Sequence, residues 1–192
     1  MGTMRVFVGI VLPEFCQEIV AGLACRLAPL SPGPLSGTRR GNAHLTLKFL
    51  GDVAGDGPCG IDAVCSTLSG VVFAPFDLQV AGGGFFPEKG RPRVIWAGLA
   101  AGAAPCRELA DAVDRALSPL GFPPEPRPFA AHLTLARLKN PGRDGDWSAV
   151  LRLLAATVWP EVTVSDFALC RSHLTAAGAR YEILERFPAR EG

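Results

Sequence analysis

Two copies of the tetrapeptide His-Leu-Thr-Leu stand 88 residues apart in this chain, beginning at His44 and His132. Alternation along a strand places each histidine on the same face as the threonine two positions on, Thr46 and Thr134. A neutral imidazole accepts a proton from water while an imidazolium donates one to a leaving alkoxide, and a hydroxyl donates a hydrogen bond to a phosphate oxygen. Two such pairs around one groove fit the cleavage of a phosphoester without a metal ion.

The first copy continues as a strand in which the same alternation sorts the residues that follow. Leu45, Leu47 and Phe49 share the face opposite His44, which predicts that they point into the core. Lys48 falls on the His44 face, where its ammonium group would add positive charge near a bound phosphate. A lysine at a strand end is more often a solvated surface residue, and this alternative stays open.

A third His-Leu-Thr, at His173, provides an internal control. It is followed by Ala-Ala-Gly-Ala-Arg, with no alternating apolar run, and it stands where a strand is expected to give way to a turn. A lone tripeptide of this kind is common, and a histidine on a strand is more often structural than catalytic. Since the duplicated octet carries the signal, we exclude His173 from the pair.

The elements around the two copies also repeat, as strand–helix units interleaved with hairpins. The apolar periodicities predict strands at 5–12, 44–51, 76–80, 94–99, 132–139, 161–170 and 181–187, and helices at 14–30, 57–68, 105–120 and 147–157. Glycine and proline predict loops at 31–43 and 82–93 and a turn at 175–179. We therefore expect two lobes that face each other across a groove, each contributing one imidazole and one hydroxyl.

Length and composition favour one sizeable core over two independent domains, since the chain has 192 residues of which 48% are hydrophobic. A net charge of +1 argues against a broad electrostatic surface for nonspecific duplex binding. No apolar run reaches the roughly 20 residues that span a bilayer, and no signal peptide is recognisable. We expect a cytoplasmic protein without membrane association, whose six cysteines are reduced and buried.

Four stretches resemble the two-histidine (2H) phosphoesterase superfamily, specifically the bacterial and archaeal RNA 2',3'-cyclic phosphodiesterases once named 2'-5' RNA ligases. The stretches are RVFVGIVLP, FFPEKGRPRVIWAGL, PFAAHLTLARLK and RSHLTAAGARYEILERFP, in the family's order and spacing. The likeness runs nearly end to end. It implies an α+β fold of two pseudo-symmetric antiparallel-sheet lobes, with helices outside and a central groove, in a single bilobal domain over residues 1–192.

The resemblance also implies roles for individual residues. It makes His44 the proton donor to the leaving ribose oxygen, His132 the proton acceptor from water, and Thr46 and Thr134 the phosphate ligands. The spacing itself does not distinguish acid from base, and a reverse ligation reaction would exchange the two roles. The family has an arginine in or near the groove at the position of Arg137, although alternation puts this residue on the opposite face.

Other positions bear on the substrate. Phe7 matches an aromatic residue of the family's first strand, and it either stacks on a base or ribose or is an ordinary core phenylalanine. The family commonly has proline where Ala131 precedes the second histidine, and often tryptophan where Arg39 or Arg40 stands. Neither departure touches the imidazoles, but the substrate preference stays open.

The favoured function is metal-independent hydrolysis of a 2',3'-cyclic phosphate at an RNA or nucleotide end to a 2'-phosphomonoester, with reversible 2'-5' RNA ligation as an open second activity. The partner is then RNA with a cyclic phosphate end or a cyclic nucleotide, no cofactor is needed, and we expect a monomer. One alternative is an RNA-end-binding module without turnover, which two intact histidines disfavour. Another is a metal protein, for which no histidine or cysteine spacing is typical of zinc.

Overall fold

A computed structural model describes residues 2–126, 128–138, 145–175 and 178–190. In this part of the chain the strands are β1 (Thr3–Val11), β2 (Leu35–Gly37), β3 (His44–Ala54), β4 (Phe76–Phe86), β5 (Val94–Ala101), β6 (Leu133–Leu138), β7 (Val162–Val164), β8 (Asp166–Thr175) and β9 (Gly178–Pro188). The helices are α1 (Glu14–Leu27), α2 (Ile61–Leu68), α3 (Ala103–Leu117) and α4 (Ser148–Ala156). Short 3-10 turns at Ala28–Leu30 and Ser118–Leu120 extend α1 and α3.

The strands join in the order β7-β4-β5-β6-β3-β1-β8-β9, and β2 also pairs with β6. These pairings are antiparallel. The order is symmetric about the contact between β6 and β3, because β5 lies beside β6 as β1 lies beside β3. Lobe one is β1, β3, β8 and β9, and lobe two is β2 and β4 to β7. The predicted α+β fold of two antiparallel-sheet lobes is confirmed, although the lobes are halves of one continuous sheet.

The four helices and the sheet share one apolar core. Buried side chains of every helix belong to the same cluster as Leu45 of β3 and Leu133 of β6. Helix α1 follows β1 of lobe one but packs against β2 and β6 of lobe two, and α3 follows β5 of lobe two but packs against β3 of lobe one. This exchange of helices joins the two lobes on the core side of the sheet.

The predicted helices agree with the observed ones to within four residues at each end. The strands differ more. Strand β4 continues to Phe86 through a predicted irregular connection, and β2 lies in the predicted loop at 31–43. Strand β8 continues through His173 to Thr175, so the third His-Leu-Thr lies within a strand. Lys139 and positions 176 and 177 of the predicted turn lie outside the described residues.

The cysteines are free, as expected, but they are not uniformly buried. Cys25 and Cys59 are exposed, whereas Cys16, Cys106 and Cys170 are buried. Over the described ranges, no helix has both the length and the apolar character needed to cross a membrane.

Candidate active site

The two motifs meet where β3 and β6 pair. Leu45 lies directly opposite Leu133, and both side chains are fully buried. In an antiparallel pair, the residue before Leu45 faces the residue after Leu133, which sets His44 across from Thr134. The same register sets the second histidine across from the first threonine. Since alternation turns these side chains away from the buried leucines, the predicted imidazoles and hydroxyls share one face at the seam between the lobes.

Both imidazoles are oriented in the same way by the backbone just before them. His44 Nδ1 lies 2.7 Å from the Asn42 carbonyl oxygen, and His132 Nδ1 lies 2.7 Å from the Ala130 carbonyl oxygen. A carbonyl only accepts, so each Nδ1–H donates and each Nε2 is left for chemistry as a base or, once protonated, as a donor. His44 Nε2 also lies 3.0 Å from Thr46 Oγ1. Each histidine is thus held with Nε2 available to a substrate.

Aromatic rings surround each histidine. The centroid of the His44 ring lies 4.6 Å from that of Phe7 and 5.0 Å from that of Tyr181, with an edge-on contact to Tyr181. The centroid of the His132 ring lies 4.9 Å from that of Phe86, also edge-on. These rings exclude water from the imidazoles, which disfavours their charged forms.

The pKa values follow from this burial. Burial lowers the pKa of His44 to about 4, against the hydrogen bond to Asn42, and the charges of His132 and Arg137 lower it further. Burial lowers the pKa of His132 as well, against the hydrogen bond to Ala130, and the charge of Arg137 adds to that shift. Both imidazoles are therefore mainly neutral at pH 7, and a bound phosphate anion favours their protonation.

Arg137 reaches the histidine face because β6 contains a bulge. Thr134 and Ala136 pair with adjacent residues of β5, which leaves Leu135 as the extra residue. The alternation therefore shifts by one, and Arg137 shares the Thr134 face. Its charge acts on the pKa of both histidines and of Tyr181. Simple alternation was wrong about the face of Arg137, while its location near the groove agrees with the resemblance.

The face predicted for Lys48 is wrong, because β3 contains a matching bulge. Thr46 and Lys48 pair with adjacent residues of β1, which leaves Leu47 as the extra residue. Lys48 therefore turns to the core face and is only 5% exposed. Phe49, predicted to be in the core, turns instead to the His44 side and is 64% exposed.

The Lys48 side chain is occupied in contacts away from the histidines. Its Nζ bonds to the Asp114 carboxylate of α3 and donates to the Pro123 carbonyl at 2.7 Å. The other Asp114 carboxylate oxygen accepts from the Glu125 backbone N–H at 3.0 Å. Lys48 thus joins the first motif's strand to α3 and to the chain that leads to the second motif. It does not line the candidate site.

Phe7 lies at the site but is only 3% exposed, in a small apolar cluster with Ala168 and Cys170 on the histidine side of lobe one. A pocket of about 170 Å³ opens beside it. The pocket is lined by Phe7, Val11, Gly41, Asn42, Ala43, His44, Cys170, Tyr181 and Ile183. Phe7 therefore packs under His44 as a buried part of the pocket wall, in line with the core interpretation, and stacking on a base or ribose stays a prediction.

Aromatic residues near the histidines were missed by sequence reasoning, among them Phe86, Tyr181 and Phe49. Tyr181 is the chain's single tyrosine, and its ring contacts both Phe7 and His44. Its position depends on β9, which joins the sheet next to β8 far from either motif in sequence. Phe49 was missed because the bulge cannot be read from the pattern of one strand. For Tyr181, the available signal was a single tyrosine in an alternating stretch.

His173 lies in lobe one, on β8, and is separate from the pair. It stands three residues beyond Cys170, so alternation turns it to the other face from Cys170 and Phe7. Its Nε2 lies 2.7 Å from Glu182 Oε2, and its side chain is 37% exposed. The structure therefore brings together His44, His132 and their threonines without His173. Among the described residues, no three His, Cys, Asp or Glu side chains are grouped so as to hold a metal ion.

Comparisons with known proteins agree with a chain built of two related halves. The family model described as "LigT like Phosphoesterase" matches the chain twice, at 12–96 and 99–181, with one histidine motif in each match. The RNA 2',3'-cyclic phosphodiesterase of Archaeoglobus fulgidus is 33% identical over 184 residues, which cover 96% of this chain and 99% of that protein. The enzyme of the same name from Aeropyrum pernix is 34% identical over 151 residues, 79% of this chain and 84% of that protein.

A solved structure agrees as well. The crystal structure of a Thermus thermophilus protein superposes with a TM-score of 0.77 at 28% identity, covering 97% of this chain and 98% of that one. The resemblance drawn from the sequence is confirmed, and the chain belongs to the LigT-like phosphoesterase family.

Proposed function

We propose that this chain hydrolyses 2',3'-cyclic phosphates at RNA or nucleotide ends to 2'-phosphomonoesters, without a metal ion. The observation that carries the proposal is the antiparallel pairing of Leu45 with Leu133, which sets one imidazole and one hydroxyl from each lobe on the same face. Relatives at about one-third identity are RNA 2',3'-cyclic phosphodiesterases. The residues that this chemistry requires stand at the seam of this chain.

In the proposed reaction, His132 Nε2 accepts a proton from water as the water oxygen attacks phosphorus. The bond from phosphorus to the ribose O3' breaks, and His44 Nε2–H donates its proton to that oxygen, leaving the phosphate on O2'. The low pKa of His44 makes its imidazolium a strong acid toward the alkoxide, once the bound anion has favoured protonation. In ligation, a 5'-hydroxyl would take the place of water, with His132 accepting its proton and His44 donating to O3'. The two roles exchange when the 2'-5' linkage is cleaved back to the cyclic phosphate.

Thr46 and Thr134 are proposed to donate hydrogen bonds to the non-bridging phosphate oxygens, whose charge grows in the transition state. Arg137 adds a guanidinium charge on the same face. Electrostatic support for this role comes from its effect on the pKa of both histidines. Together these groups would stabilise the phosphate from both lobes.

We propose that residues 1–192 act as one bilobal domain, as a monomer in the cytoplasm, with one His-x-Thr motif per lobe. The site draws on strands β3 and β6 of different lobes, and each lobe is backed by a helix that follows a strand of the other. Neither lobe alone holds both imidazoles. A single copy of the chain supplies the complete set of proposed groups.

Product analysis tests the proposal. The protein is incubated with adenosine 2',3'-cyclic phosphate and with a short RNA that ends in a cyclic phosphate, and the products are identified by phosphorus NMR. We expect the 2'-phosphomonoester from both, and no reaction of a matched RNA with an open 3'-phosphate. Binding of the cyclic end without turnover would replace the enzyme by an RNA-end-binding module, and a 3'-phosphate product would overturn the direction of cleavage.

A further inference from the structure

The Gln17 side chain of α1 is buried, 3% exposed, and fully hydrogen-bonded to backbone. Its Oε1 accepts from the N–H groups of Gly41 at 3.0 Å and Ala43 at 2.7 Å. Its Nε2 donates to the carbonyl oxygens of Leu12 at 2.8 Å and Ala43 at 2.9 Å. Two donors and two acceptor sites are the full capacity of a side-chain amide. The Gln17 amide therefore holds the backbone immediately before the first motif.

Asn42 lies between Gly41 and Ala43, and its carbonyl oxygen accepts a hydrogen bond from His44 Nδ1–H. The Asn42 side chain is held as well, since its Nδ2 donates to the Ala179 carbonyl at 2.7 Å and its Oδ1 accepts from the Tyr181 N–H at 3.2 Å. The peptide that orients the His44 ring is thus fixed from both sides: from α1 through Gln17 and from β9 through Asn42. Rotation of the Asn42 carbonyl would remove the hydrogen bond that keeps His44 in its Nδ1–H tautomer.

Helix α1 also packs against β2 and β6, and β6 carries the second motif. Gln17 is therefore a link between the backbone that orients His44 and the helix behind the strand that carries Thr134. A shift of about 1 Å in such a framework is enough to reduce catalysis on the order of 100-fold.

We propose that Gln17 is a positioning residue of the reaction, which sets the tautomer and direction of the His44 imidazole through residues 41–43. This inference rests on the proposed phosphodiesterase function for its kinetic part. The sequence pattern gives no sign of it, because Gln17 occupies an ordinary buried helical position between Cys16 and Val20. It touches no reacting atom.

The kinetic test compares Gln17→Met with Val20→Ala, a matched core truncation one turn further along the same helix and fully buried. Gln17→Met keeps the size of the side chain and removes its hydrogen bonds. At a temperature where both variants are folded, we expect kcat of Gln17→Met to fall about 10- to 100-fold with KM within about threefold. Val20→Ala should keep kcat within about twofold. An unchanged kcat in Gln17→Met, or an equal fall in Val20→Ala, overturns the proposal.

A spectroscopic test does not depend on turnover. The three histidines of the chain give three sets of ring-nitrogen NMR signals. These signals distinguish a ring protonated at Nδ1 from one protonated at Nε2. We expect the His44 signals of Gln17→Met to lose the pure Nδ1–H pattern, while those of His132 and His173 stay as in the wild type. Unchanged His44 signals overturn the positioning role. An inactive wild-type protein would defeat the proposed function instead, and this measurement would still decide the role of Gln17.

A third variant covers a failure of Gln17→Met to fold. Gln17→Glu keeps the side-chain volume and the two acceptor contacts to Gly41 and Ala43, but replaces both donors by a carboxylate oxygen facing two carbonyls. We expect a partial loss of the Nδ1–H pattern of His44 and a correspondingly smaller fall in kcat than in Gln17→Met. Wild-type kinetics together with wild-type His44 signals in Gln17→Glu would overturn the proposal.

Discussion

Leu45 and Leu133 face each other where β3 meets β6, and each is the central residue of one His-Leu-Thr motif. The contact buries both leucines completely on the core side. Because the strands run antiparallel, the residues on either side of this pair are exchanged between lobes, so that each histidine faces the other lobe's threonine. The symmetric site is thus a direct consequence of how two identical tripeptides pair.

The pairing leads to a first prediction about the three histidines. His44→Ala and His132→Ala should each lower kcat/KM for a cyclic nucleotide by about 100-fold or more, the usual contribution of a general acid or base. His173→Ala should stay within a few-fold, because His173 bonds to Glu182 on the other face of β8. Steady-state kinetics of the three variants, each checked for folding by circular dichroism, provide the measurement. A loss in His173→Ala as large as in the other two would show that the wrong pair was chosen.

The fate of individual residues shows what the sequence could predict. The faces of His44 and Thr46 were predictable, because alternation over three residues needs no knowledge of the partner strand. Lys48 and Phe49 were assigned to the wrong faces, because the bulge at Leu47 exists only in the pairing of β3 with β1. The local pattern therefore predicts the faces of the residues next to the motif. Beyond the bulge, the pairing with the neighbouring strand determines which face each residue takes.

Contacts that join distant parts of the chain were harder to predict from the sequence. Tyr181 and Gln17 both hold the segment before His44, yet one comes from β9 and the other from α1. The Tyr181 N–H bonds to the Asn42 side chain, and Gln17 bonds to the Ala43 backbone. Neither stands in a motif of its own. The duplication predicted two symmetric lobes, but it could not show that β3 and β6 pair directly and so make one continuous sheet.

The different positions of Arg137 and Lys48 give a second prediction. Arg137→Gln should lower kcat/KM about 10-fold or more with little change in stability, because its charge acts at the histidines and its side chain is exposed. Lys48→Met should instead reduce the free energy of unfolding by about 2 kcal/mol or more, because it leaves the partly buried Asp114 carboxylate unpaired. Urea unfolding and steady-state kinetics on both variants separate the two effects. If Lys48→Met keeps full stability and strongly reduces turnover, Lys48 acts at the candidate site after all.

The low pKa of His44 gives a third prediction, on stability. Its pKa in the folded chain, about 4, lies below the ordinary value of 6.5. Between these two values the unfolded chain binds a proton at His44 that the folded chain does not bind. Stability is therefore lost as pH falls from 6.5 toward 4, and between pH 7 and pH 5 this group alone should cost about 2 kcal/mol. Urea unfolding at the two pH values should show that loss in the wild type and a correspondingly smaller one in His44→Gln. Equal losses in the two proteins would mean that His44 titrates normally.

The last prediction concerns pH and metal dependence together. The proposed reaction needs one neutral and one charged imidazole, so both kcat/KM and kcat should follow bell-shaped pH profiles whose limbs belong to the coupled pair. Burial lowers the pKa of both histidines in the free groove, whereas the bound phosphate anion favours their protonated forms. The alkaline limb of kcat should therefore lie at higher pH than that of kcat/KM. Profiles recorded with and without EDTA should coincide. Activity that is abolished by the chelator and restored by a divalent ion would replace the histidine pair by a metal-bound hydroxide as the source of the nucleophile.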